Sequence, residues 1–562
     1  VSLCSSCANT TGNCTRTAPT SALRPSQVPS ELHDRDRVAT SPKNVILLLS
    51  DGTSPEAWTL ARWVKGAPLA VDSILTGAVR TYGADSIVTD SAPGASAYST
   101  GYKGTDKAIA IGAYRTTIDG ATTLPNFAYV PLVTILEAAR VEGFATGLIA
   151  TSNVQHATPA AFSAHVPDRN SYDDIAMQQV YQGMDVVLSG GSDYLAPPSN
   201  GGKRMDDKDL VAELTARGYA IARTKDELSK SNADRVWGLF AAQDLSYELD
   251  RERFAPSQPS LAQMTAHAID HLARTERAKH QGFFLFVEGS KVDFAAHAND
   301  PIGVVSELLA FDAAVERSLE YARNNTHTQV VVVADHGTGG LSIGTTTDRN
   351  YARTDDDSVV APIRKAKVTA TRLAQLLVER GDESAAKILE REWGIDDLSN
   401  DERLQLEQAL RSKQGLNAQL SRIISTRARI GWTTDNHTGA DIYLFAYGPE
   451  RPQGLVENTQ IGRGIAAFLG LSLEKMQSRL FTDLTLVLKD LGYQTALDLK
   501  DPRDGRLVVS RGKHTAVLPF AKNLLVIDGE VTELEGIVVH AEHLGRVFGP
   551  RQAIDAIQRA MP

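Results

Sequence analysis

The hydrophobic residues of this chain come in two textures. One is a set of short apolar runs: Asn44–Ser50, Phe144–Ala150, Met184–Ser189, Phe283–Val287, Gln329–Ala334 and Ala440–Tyr447. Runs of this length with little polar alternation predict strands buried on both faces. The other is helical periodicity, over Glu56–Val64, Leu132–Val141, Ser260–Lys279, Val304–Arg323 and Gln460–Phe468. Buried strands alternating with helices predict an α/β fold whose large, mainly parallel central sheet is flanked by helices.

Three stretches depart from that texture. Residues 1–42 are rich in Ser, Thr, Pro and Asn, lack periodicity and read as a disordered N-terminal tail. Residues 345–430 turn charged and helix-forming, as in Thr369–Gly381 and Leu404–Ile424, and read as a helical insertion. Residues 496–562 read as a small β-rich appendage, where Asp528-Gly529 between Leu524–Ile527 and Glu530–Thr532 predicts a hairpin. The core is then 43–344 together with 431–495.

With 562 residues, 42% hydrophobic and 22% charged, the composition is that of a globular protein with one large domain and appendages, or two to three domains. The net charge of −10 argues against nucleic acid or anionic lipid as the main partner. No run approaches the roughly 20 apolar residues of a transmembrane span. The three cysteines, Cys4, Cys7 and Cys14, are confined to the tail, where a disulfide with one spare thiol is expected rather than a zinc site. A start at Val1 suits a processed N-terminus.

Candidate chemistry stands at the strand ends, where sites of open α/β sheets lie. Asp51 ends the first strand, Glu288 the Phe283 run, and Asp335-His336-Gly337 the Gln329 run; His437 precedes the last. Asp293 and His297, four apart, share a face if their segment is helical. His156 and Thr158 follow the Phe144 strand, and Asp90-Ser91-Ala92-Pro93 predicts a helix start with Ser91 as cap and exposed to free N–H groups. Carboxylates buried together without cations are penalised by desolvation and mutual repulsion, and divalent metal is the natural remedy. Imidazole plus carboxylate suits zinc, and an all-oxygen subset suits magnesium.

These motifs, in order, spacing and strand context from about residue 44 to about 490, resemble the alkaline phosphatase family. The resemblance implies two zinc ions and one magnesium. One zinc would be held by Asp293, His297 and His437. The second would take Asp335, His336, a bridging Asp51 and the Ser91 oxygen, and magnesium would use Asp51, Thr158 and Glu288. Arg169 matches the family's phosphate-gripping arginine, and His156 lies beside the magnesium site as a substrate-binding residue. Broad phosphate monoester hydrolysis through a phosphoserine at Ser91, a homodimer, and an extracytoplasmic (periplasmic or secreted) location are implied with it. Phe294, after Asp293, departs from relatives that often have Lys or His there. Two rival readings are a phosphodiesterase or phosphomutase on the same metal scaffold, and a serine esterase using Gly340-Leu-Ser342-Ile-Gly344, a pentapeptide that requires a strand-to-helix elbow.

Overall fold

A computed structural model describes residues 42–345, 351–379, 381–412 and 414–562. The tail with its three cysteines lies outside the described residues. The central sheet is built from β1 (Asn44–Ser50), β2 (Leu75–Arg80), β3 (Ala145–Asn153), β4 (Val186–Gly190), β5 (Ala220–Ala222), β6 (Val236–Leu239), β7 (Phe283–Gly289) and β8 (Thr328–Val333). Four short strands follow: β9 (Gly337–Thr338), β10 (Leu341–Ile343), β11 (Ile430–Trp432) and β12 (His437–Thr438). The central sheet is completed by β13 (Ile442–Tyr447) and β14 (Gly454–Glu457), in the order β14-β2-β13-β8-β1-β7-β3-β4-β6-β5. All ten run the same way except β13, which pairs antiparallel with both β8 and β2.

The apolar runs become strands because both faces of the sheet are covered. In β1, Ile46 and Leu48 enter one hydrophobic cluster while Val45, Leu47 and Leu49 enter the opposite one, and all five are fully buried. Each such side chain contributes about 1.5–3 kcal/mol of burial free energy. One face is covered by the helices Leu261–Arg274 and Pro301–Asn324, the other by Ile135–Val141 and Asn458–Leu469.

One stretch expected to be a single long helix, and one expected only to be helix-forming, are each divided in two. The stretch Ser260–Lys279 divides at Thr275, whose backbone is extended and whose Oγ1 accepts from Ala278 N–H, capping a second helix at Glu276–His280. Leu404–Ile424 divides between Asn400–Ser412 and Leu416–Arg427, with Gly415 at φ 66° starting the second helix. These helices and three before them (Asp356–Lys365, Ala370–Glu379, Ala385–Trp393) bury Val359, Leu373, Ile388, Leu406 and Leu420 in the same cluster as Ile46. Two core carboxylates fasten the segment: Asp250 accepts from Thr369 N–H and Asp300 from Ala370 N–H. Near the C-terminus a five-stranded antiparallel sheet spans Gln494–Glu533. Its last hairpin turns at Asp528-Gly529, both with positive φ, as the sequence predicts. Among the described residues no helix is long and apolar enough to cross a membrane.

Candidate active site

The carboxyl ends of β1, β7 and β8 lie side by side and deliver Asp51, Glu288 and Asp335-His336 to one place. Because β13 runs backwards, its beginning lies at that same edge. His437 therefore arrives there too, on β12, which pairs with β9 just past His336. Asp293 and His297 stand one turn apart on the short helix Lys291–His297 that follows β7. Thr158 opens from the helix Ala157–Ala160 after β3. Gly52 makes the close approach possible. At φ 66°, a Cβ there would come within 2.5 Å of Asp293 Oδ1, and its N–H donates to Asp335 Oδ1 at 3.2 Å.

Three groups of side chains converge with donor atoms within 4.8 Å of one another: Asp293, His297 and His437; Asp51, Asp335 and His336; and Asp51, His156 and Glu288. In the first, His297 Nε2 and His437 Nε2 are 3.1 Å apart. Each Nδ1 faces a backbone carbonyl, of Asp435 at 2.6 Å and Thr89 at 2.9 Å. A carbonyl only accepts, so each Nδ1 is the donor of that bond, and the two Nε2 atoms face each other with the Asp293 carboxylate 3.4 and 3.7 Å away, a set of donor atoms that one cation would bridge. In the second group His336 Nε2 lies 3.3 Å from Asp335 Oδ2 and 3.6 Å from Asp51 Oδ1. Burial, then His437, lowers the His336 pKa to about 3, so this imidazole is neutral and ready to ligate.

The carboxylates make the same demand. Asp51, Glu288 and Asp335 are all 0% exposed. Burial drives their pKa values upward, most strongly for Asp51 and Glu288, where Asp335 adds repulsion. Asp51 Oδ1, both Glu288 oxygens and Asp335 Oδ2 have no hydrogen-bond partner among the described residues. Divalent cations fit these orphaned oxygens; the imidazoles of His297, His437 and His336 suit zinc in the first two groups, while Asp51 and Glu288 of the third, with the Thr158 hydroxyl beside Asp51, suit a harder ion. The second and third groups share Asp51, and the Thr158 hydroxyl donates to its Oδ2 at 3.4 Å.

Ser91 is the first residue of the helix Ser91–Thr100, and its cap is Asp90, whose side chain accepts from Ala92 N–H. The sequence predicts Ser91 as the cap; with Asp90 in that role instead, the Ser91 hydroxyl is not spent on the helix end and pairs with His336 Nε2 at 3.2 Å. Arg169 faces it from the opposite loop. One guanidinium nitrogen pairs with Asp90 and the other donates to His156 Nε2 at 3.0 Å. His156 is therefore neutral, its pKa lowered to about 3 by burial and Arg169. The Phe294 ring packs edge-on to His156 with centroids 5.4 Å apart. Ser91, Arg169, His156, Phe294, Asp293, His297 and His437 all line one cleft of about 770 Å³.

Every site residue expected from the sequence reaches this cluster. Two further residues organise it: Asp90, and Thr338, whose hydroxyl donates to Asp293 Oδ1 at 2.6 Å and lies 3.3 Å from His336 Nδ1. The adjacency of Asp90 to Ser91 and of Thr338 to the Asp-His-Gly motif was the only signal for either. Ser342, by contrast, sits exposed in β10, paired with β11, and its hydroxyl donates to Gly344. There is no elbow there.

The alkaline phosphatase family profile matches residues 42–471. Alkaline phosphatase 3 of Bacillus subtilis is 34% identical over 75% of this chain and 88% of its own length. The repressible alkaline phosphatase of Saccharomyces cerevisiae is 33% identical over 77% of this chain and 82% of its own. Among solved structures, a cold-active alkaline phosphatase from a psychrophilic Shewanella superposes with a TM-score of 0.66 at 30% identity, covering 76% of this chain and 99% of that one. With fold, site and relatives in agreement, the chain belongs to the alkaline phosphatase family and carries alkaline phosphatase activity.

Proposed function

We propose that the chain hydrolyses a broad range of phosphate monoesters in two displacements through a phosphoserine at Ser91. The observation that carries this reading is the Ser91 hydroxyl, released from capping and 3.2 Å from His336 Nε2, in one cleft with the Arg169 guanidinium. Asp293, His297 and His437 would hold one zinc, Asp51, Asp335 and His336 the second, and Asp51, Thr158 and Glu288 magnesium. When bound, these ions lower the pKa of coordinated hydroxyls and neutralise charge on attacking and leaving oxygens.

Arg169 has both terminal nitrogens anchored by the protein, and its remaining N–H groups can receive two phosphoryl oxygens. The first N–H groups of the Ser91–Thr100 helix add donors for the same anion. Ser91 Oγ loses its proton and attacks phosphorus in line, the P–O bond to the alcohol breaks, and the alcohol leaves with a proton. Water then attacks the same phosphorus from the vacated side, the phosphoserine bond breaks, and inorganic phosphate leaves as Ser91 regains its proton. Asp51, Glu288 and Asp335 stay fixed throughout because each is packed without exposure. An extracytoplasmic site of action and a homodimer accompany this reading by family resemblance, and sedimentation tests the latter.

The test is p-nitrophenyl phosphate turnover beside a diester, with metal content measured on the same sample. Chelation should abolish monoester turnover, and zinc with magnesium should restore it. Acid-quenched wild type should carry phosphate on the Ser91 peptide. Undiminished turnover in Ser91→Ala would overturn the covalent route, and preference for the diester would overturn the substrate class.

A further inference from the structure

The Arg169 guanidinium is held from two sides, by Asp90 and by His156 Nε2 at 3.0 Å. Asp90 has a second task as the cap of the Ser91 helix. The His156 ring has none of that kind: it makes no cap bond to the helix Ala157–Ala160 that it precedes. Its Nδ1 is buried with no hydrogen-bond partner among the described residues. By position His156 is a candidate metal ligand, since one of its nitrogens lies within 4.8 Å of carboxylate oxygens of Asp51 and Glu288. The bond to Arg169 decides against that role. A guanidinium only donates, so the Nε2 lone pair is spent on Arg169 and the ring proton stands on Nδ1. Neither nitrogen then has a lone pair for a cation.

Phe294 steadies the ring in this arrangement. The two ring planes meet at 74° with centroids 5.4 Å apart, an edge-to-face contact. Phe294 stands on the helix Lys291–His297, next to Asp293, and is half-buried in the wall of the Ser91 cleft. Its side chain has no polar atom, so it neither grips phosphoryl oxygens nor competes with Arg169 for Nε2.

We propose that His156 and Phe294 are positioning residues for Arg169: Phe294 holds the imidazole, and the imidazole holds the guanidinium opposite Asp90, with its remaining N–H groups turned to the phosphoryl oxygens. His156 touches neither substrate nor metal. The inference rests on the phosphatase reading above, in which Arg169 grips the phosphoryl group. A guanidinium held on one side only would swing on its long side chain, and a displacement of about 1 Å costs a transfer reaction heavily. A neutral acceptor suits the place better than a second carboxylate. Asp90 already balances the arginine's charge, and another acid would repel the arriving phosphate.

The test uses the zinc- and magnesium-loaded protein, with inorganic phosphate as competitive inhibitor of p-nitrophenyl phosphate turnover and metal content measured on each variant. His156→Ala should raise the phosphate inhibition constant about tenfold, as expected for one lost charged hydrogen bond, with metal content equal to wild type. Phe294→Ala should raise it about threefold. His156→Gln, whose side-chain oxygen can accept from Arg169, should recover most of the loss. In an Arg169→Ala background, His156→Ala and Phe294→Ala should each add less than about twofold, because both act through the missing guanidinium. A His156→Ala protein that gives up a bound metal overturns the inference, as does an effect that persists undiminished without Arg169. Either result leaves the phosphatase reading intact. A wild type that does not hydrolyse p-nitrophenyl phosphate overturns both.

Discussion

Asp90 uses one carboxylate for two neighbours, accepting from the helix N–H of Ala92 and holding Arg169. Burial works against its charge, yet Arg169 outweighs that effect and keeps its pKa below the usual 3.8. Asp90→Ala should therefore cost about 1 kcal/mol in denaturant unfolding through the lost cap. It should also lower kcat/KM about tenfold or more by loosening Arg169, whereas a cap alone would leave kinetics unmoved. Residues that end strands, such as Asp51, Glu288 and Asp335, were legible in the sequence because an acid after an apolar run has few other reasons to be there. Asp90 and Thr338 were not. Their partners, Arg169 and Asp293, lie far along the chain, and no local pattern announces a contact closed by tertiary folding.

Among the elements, the long apolar runs were the most legible, since residues like Val45–Leu49 cannot be satisfied except inside a sheet covered twice. Helix breaks were less so. Thr275 and Gly415 interrupt amphipathic patterns that continue through them, and only capping geometry reveals the division. The direction of β13 was likewise invisible, because an apolar run reads the same in either orientation. Within the Pro301–Asn324 helix a buried acid sets a testable pH dependence. Burial raises the Glu307 pKa to about 7 from 4.5, despite the opposing Lys291. A folded-state pKa above the unfolded one means that the unfolded chain binds fewer protons between these values. This group's contribution is thus fully present below about 4.5 and lost as pH rises through about 7. Glu307→Gln should raise the melting temperature relative to wild type above pH 7 more than at pH 5, and an equal difference at both would contradict the assignment.

For the whole molecule, the cations that the site calls for should also stabilise the fold. Asp51, Glu288 and Asp335 stand together without exposure, and stripping their counter-charge leaves mutual repulsion inside the sheet's carboxyl edge. Calorimetry of the chelator-treated protein should show a melting temperature lowered by several degrees or more, restored by zinc and magnesium along with activity. An unchanged melting temperature would mean that the carboxylates are protonated instead.

The reversed strand β13 has a consequence for how this protein is made. It lies between β2, synthesised early, and β8, and it is β13 that joins β2 to the remainder of the sheet. His437 comes off the ribosome immediately before it. A nascent chain can gather Asp51, Glu288 and Asp335 well beforehand, but it lacks the third ligand of the Asp293–His297 group until the core is nearly finished. A chain that ends before His437 therefore cannot assemble the complete Asp293–His297–His437 group, however much of the sheet's carboxyl edge it has already formed.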